Sequence, residues 1–120
     1  MQKFIASFAV AISGVVFALR TQSHMRFHAL AGLIACVVGL IVSLEPLEWA
    51  IILLAIAVVI SAEMINTAVE QAVNLASPSI HPVAKVAKDV AAGAVLIAAV
   101  ISAIIGLLIL GPPLWRLFAG

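Results

Sequence analysis

The sequence predicts an all-α integral membrane protein with three transmembrane helices and an N-terminal interfacial amphipathic helix. Three observations carry that expectation. Of 120 residues, 66% are hydrophobic and 9% charged, with a mean hydropathy of +1.34. A soluble domain of this size needs far more charge to cover its surface, so lipid is part of the solvent. Three apolar stretches each approach or exceed the length that crosses hydrocarbon, about 20 helical residues. Proline-containing breaks separate them, at Glu45-Pro46, Ser77-Pro78 and His81-Pro82.

Residues 2–20 open with Lys3 and an apolar run ending at Ala18, which resembles a secretory signal peptide. Helical spacing argues for a different reading. Ser7, Ala11, Gly14 and Ala18 form a small-residue face opposite the bulky Phe4, Phe8, Val15 and Leu19. That suits a helix lying at the interface and packing on its neighbours. Cleavage would also strand Arg20 and Arg26 on the wrong side of the first span.

The first span covers about 27–44 and holds no charge until its end. The second, about 49–75, is apolar to Ala62 and then carries Glu63, Asn66, Glu70 and Asn74. The third, about 84–110, is uncharged from Val90 to Leu110. Orientation follows the Lys/Arg bias. Lys3, Arg20 and Arg26 precede the first span and Lys85 and Lys88 lie at the start of the third, whereas only Arg116 falls on the far side. The N-terminus and the 75–88 connection are therefore expected in the cytoplasm and the C-terminus outside, with Trp49 and Trp115 at the outer interface.

The net charge of +1 and the absence of a basic stripe give no reason to expect nucleic acid as a partner. The lone Cys36 cannot form an intrachain disulfide and reads as a small apolar residue. His24 and His28 have metal-compatible i,i+4 spacing, but without a partner motif they read as interfacial, and His81 as solvated. One chain of this size is too small to enclose a water-filled cavity, so a multi-chain assembly is expected.

The informative set is Glu63, Asn66, Glu70 and Asn74, whose spacing keeps all four on one narrow helix face. Ionisable groups in a membrane helix are costly and by default mark a functional site facing the bundle interior. At 1.5 Å per residue, Glu63 lies roughly 21 Å and Glu70 roughly 32 Å from Trp49. Against a core of about 30 Å, Glu63 falls just under the cytoplasmic headgroups and Glu70 at the water boundary, near Asp89. A carboxylate just below the surface can accept the proton of a lipid hydroxyl. One at the surface can hold a metal, and a lysine there can neutralise phosphate. Glu63, Glu70 and Lys88 stand at those depths. The bland reading is that Lys85 and Lys88 merely set topology and that end-of-helix polar groups snorkel to water; it is weakest for Glu63, the deepest. No G-x-x-x-x-G-K-[ST] loop is present, so any use of ATP rests on another architecture.

The segment Ala62-Glu63-Met64-Ile65-Asn66-Thr67-Ala68-Val69-Glu70 resembles the E-x-x-N-[ST]-A-x-E motif of the prokaryotic diacylglycerol kinase / undecaprenol kinase family. Ala87-Lys88-Asp89-Val90-Ala91-Ala92-Gly93-Ala94-Val95, His81-Pro82-x-Ala84-Lys85 and Arg26-x-His28 fit as well, and the likeness runs from about Phe4 to Leu110. It implies a homotrimeric helical bundle in the bacterial cytoplasmic membrane, with active sites shared between chains, that phosphorylates a lipid alcohol with ATP and Mg2+. It also implies Glu63 as general base, Asn66 orienting the carboxylate or the γ-phosphate, Glu70 binding magnesium–ATP, Lys88 contacting phosphate and Asp89 ordering the nucleotide site. Two positions depart from the pattern. Gln22 stands where the family often has a second metal-binding glutamate, and Asn74 where many members have aspartate; each removes a negative charge near the metal. The loop and third-span segments look more like undecaprenol kinases than diacylglycerol kinases. Two rivals are a small transporter using Glu63 as a proton relay, and a family member that has lost catalysis.

Overall fold

A computed structural model describes all residues from Met1 to Gly120. It is entirely helical, with α1 at Gln2–Thr21, α2 at Ser23–Val42, α3 at Pro46–Ala76 and α4 at Pro82–Ala119. All four are long and apolar enough to cross a membrane. Helices α2, α3 and α4 pack as an antiparallel up-down-up bundle in which α3 and α4 share the largest interface.

Gln22 alone separates α1 from α2, and its extended backbone (φ −115°, ψ 113°) turns the chain sharply. Arg26 secures the corner by donating from Nη1 to the carbonyls of Leu19 (2.8 Å) and Arg20 (3.1 Å) at the C-terminal end of α1. A cation there satisfies orphan carbonyls and opposes the negative pole of the helix. Beyond this corner α1 leaves the bundle: residues 2–17 are exposed and Ala18 is its only buried residue. The molecule measures 58 × 43 × 22 Å. The 38 residues of α4 account for the longest dimension. Three helices spaced about 8–10 Å apart cannot fill the second, so α1 leans out. The small face expected to pack therefore does so only at Ala18; an added Cβ at Gly14 would meet no neighbouring atom within 4 Å.

The buried face of α2 is Met25, Gly32 and Gly39, spaced by sevens. Glycine gives the closest fit at the last of these, where an added Cβ would lie 2.8 Å from the Trp49 ring and 2.9 Å from a Leu44 methyl, so that both side chains would have to shift. The close approach is set by the end of α2. Ser43 takes the left-handed conformation (φ 57°) and the Leu44 amide donates to the Gly39 carbonyl (3.2 Å), a Schellman-type ending that folds Leu44 over Gly39. Trp49, expected at the outer interface, is half-buried on Gly39. Helix α3 then starts with Pro46 in its first turn, and Glu48 accepts from the Glu45 amide (3.1 Å).

His81 is exposed, as expected, and also caps α4, its Nδ1 accepting from the Val83 amide (3.1 Å), with Pro82 following in the first turn. Beyond the apolar span ending at about 110, α4 continues through Pro112 and Pro113 to Ala119. Those prolines delete two intrahelical donors, but the helix carries on with its remaining hydrogen bonds.

Candidate functional site

The buried residues of α3 run Ile52, Ala55, Val59, Glu63, Asn66 and Thr67. The carboxylate and the amide thus continue the same face that forms the apolar core further along the helix, because steps of three and four keep one face of a helix in register. Glu63 is 1% exposed. Its Oε2 and the Oδ1 of Asn66 are buried acceptors without a hydrogen-bond partner. Leaving such groups unsatisfied costs about 1–3 kcal/mol each, more where charge is involved. The Thr67 hydroxyl is already spent on the Glu63 backbone carbonyl (3.0 Å). Across the interface, His28 Nε2 of α2 stands 3.8 Å from Glu63 Oε2.

Two polar cross-links set the register of α3 against α4. Ser102 Oγ donates to the Ala55 carbonyl (3.2 Å) in the apolar part, and the Lys88 ammonium donates to Asn74 Oδ1 near the connection. Glu70 and Lys88 are half-buried. A polar pocket of about 280 Å³ lies against Lys88 between the ends of α3 and α4, lined by Asn74, Ser77, Ser79, His81 and Lys85.

The structure therefore gathers Glu63, Asn66, Glu70 and Lys88 along one edge of the bundle, rising from interior to surface. It does not bring every expected residue there. Asp89 turns outward, 61% exposed, and pairs with Lys85 one helical turn away (2.6 Å). Gln22 stays at the α1–α2 corner, its amide donating to Thr21 Oγ1 (3.4 Å). No three His, Cys, Asp or Glu side chains converge as a metal cage within one chain. Magnesium arriving on ATP needs fewer protein ligands, because it keeps waters and phosphate oxygens and uses only one or two carboxylates. Glu70, at the surface end of the face, fits that lesser demand. His28 is the residue that sequence reasoning left without a role; its signals were the i,i+4 relation to His24, which is exposed, and its place in the Arg26-x-His28 element.

Residues 9–110 match the family model for prokaryotic diacylglycerol kinase. The chain belongs to the prokaryotic diacylglycerol kinase family. Members similar to it include the undecaprenol kinase of Bacillus subtilis strain 168, 46% identical over 114 residues that make up 95% of this chain and 93% of the relative. The diacylglycerol kinase of Synechocystis sp. is 40% identical over 94% of this chain and 65% of its own length. That of Helicobacter pylori strain J99 is 32% identical over 70% of this chain and 66% of its own. Membership in this kinase family sets the transporter reading aside.

Proposed function

We propose that this family member transfers the γ-phosphoryl group of ATP to the hydroxyl of a membrane lipid alcohol at the cytoplasmic membrane surface. The observation that carries the reading is the pair of unpartnered buried oxygens, on Glu63 and Asn66, one turn apart on a membrane helix. Both accept hydrogen bonds, so what completes them must donate, and an alcohol does. In this mechanism the lipid oxygen attacks the γ-phosphorus as its proton passes to Glu63. The new O–P bond forms while the bond from phosphorus to the β,γ-bridging oxygen breaks, and ADP leaves with that electron pair. Glu63 later returns the proton to solvent. Asn66 orients the carboxylate or, through its NH₂, the γ-phosphate, and the Lys88 ammonium meets phosphate charge. Glu70 would hold the Mg2+ that arrives with ATP, and the ion would supply neutralisation of phosphate charge; Gln22, a neutral ligand, would reach it only from its place at the α1–α2 corner.

Undecaprenol is favoured over diacylglycerol as acceptor. The loop and third-span likeness supports this, as does the relative named undecaprenol kinase, matched over nearly its whole length. The working form is a homotrimer of chains with three spans each and α1 at the interface. Supporting it are the α1 that leans out of the bundle and the outward Asp89, which with its Lys85 partner stands exposed toward a neighbouring chain. Purified protein given γ-labelled ATP and a panel of lipid alcohols should label a polyprenol more than diacylglycerol. Absence of label on every alcohol would refute the kinase reading and support a member that has lost catalysis.

A further inference from the structure

A general base on a flexible two-methylene arm works only if its carboxylate plane is fixed, and Glu63 has no hydrogen bond that fixes it. Its neighbours narrow the choice of donor. Thr67 is committed to the backbone. Asn66 leaves its carbonyl oxygen unpaired, and its NH2 makes no hydrogen bond to Oε2. Across the interface stands a second donor, His28, with its side chain 15% exposed and Nε2 3.8 Å from Oε2.

The backbone explains why these two groups meet. Gly32 lets α2 approach α3 so closely that an added Cβ would lie 3.1 Å from Ile56. His28 lies one turn before Gly32, and Glu63 two turns after Ile56, on the facing sides of antiparallel helices. Side chains lean toward the N-terminus of their own helix. Glu63 therefore leans back along α3 and His28 toward the start of α2, and they converge on one level. The imidazole is held edge-on to Phe27, with ring centroids 5.5 Å apart at 78°.

We propose that His28 is the positioning residue for Glu63, its Nε2–H donating to Oε2 so that the other carboxylate oxygen faces the lipid hydroxyl. The proposal rests on the reading of Glu63 as base. Closing the gap takes roughly 1 Å of side-chain movement, within the tightening that catalytic hydrogen bonds show on substrate binding.

The test compares His28→Leu with His28→Gln in purified protein, using ATP and the best lipid alcohol acceptor. Leucine keeps bulk and loses the donor; glutamine returns an Nε2–H at similar reach. His28→Leu should lose about 10²-fold in kcat, the scale of a 1 Å misplacement. The KM for ATP and the thermal midpoint should stay unchanged, and His28→Gln should recover most of the rate. A wild-type kcat in His28→Leu would overturn the proposal. So would an equal loss in both variants, or a loss that tracks a lowered midpoint, since either marks a structural role. Glu63→Gln separates the two readings. If it is inactive while His28→Leu is normal, only the positioning role fails; if it turns over normally, the base reading itself fails.

Discussion

Lys88 of α4 donates its ammonium to the side-chain oxygen of Asn74, at the end of α3 where the helical hairpin begins to open. The contact holds the lysine over the Glu70 end of the site. Replacing Lys88 with methionine should raise the KM for ATP by about tenfold or more, the worth of a hydrogen bond to a charged group. Asn74→Ala, which frees the ammonium without removing it, should raise it by a smaller factor. An ATP titration of the two variants decides this, and an unchanged curve for Lys88→Met would remove Lys88 from the nucleotide site.

Gly39 should resist any side chain. Its Cβ position is closed by Trp49 and Leu44, and forcing atoms into a packed contact costs about 1–3 kcal/mol. Gly39→Ala should lower the thermal midpoint in detergent, whereas Gly14→Ala, with open space around it, should not. Equal midpoints would show that the α2–α3 corner is looser than described.

Much of this fold is legible in the sequence. Charge is so sparse that the polar face from Glu63 to Asn74 stands out by helical period alone, and its two deepest members are buried as expected. What escapes is set by tertiary contact. Nothing local distinguishes Met25, Gly32 and Gly39 as the packed stripe of α2, because the stripe is defined by Ile56 and Trp49 on another helix. The apolar pattern stops at Leu110, yet α4 runs on through Pro112 and Pro113 to Ala119. His28 looks like any interfacial histidine until α3 is placed beside it. Asp89 adjoins Lys88 in sequence, but a helix turns about 100° per residue and sends the two side chains to different faces.

The proposed function makes Gln22 a neutral ligand where an anionic one would better hold magnesium, a cation that gives up water reluctantly. Gln22→Glu should lower the magnesium concentration for half-maximal activity and leave the apparent affinity for lipid unchanged. An unchanged midpoint in a magnesium titration would show that Gln22 only anchors the α1–α2 corner.

If three helices cross and α1 lies at the interface, as proposed, the chain ends stand on opposite sides of the membrane. In a Cys36→Ser background, Gln2→Cys should react with an impermeant thiol reagent from the cytoplasmic side and Gly120→Cys from the outside. Labelling of both from one side would mean that α1 also crosses.

Phosphoryl transfer by Glu63→Gln tests the central claim most directly. The amide keeps the size of the buried side chain and loses the base, whose contribution is typically about 10²–10⁴-fold. Turnover should fall by that factor while ATP still binds with nearly wild-type affinity. Near-normal turnover in this variant would contradict the account.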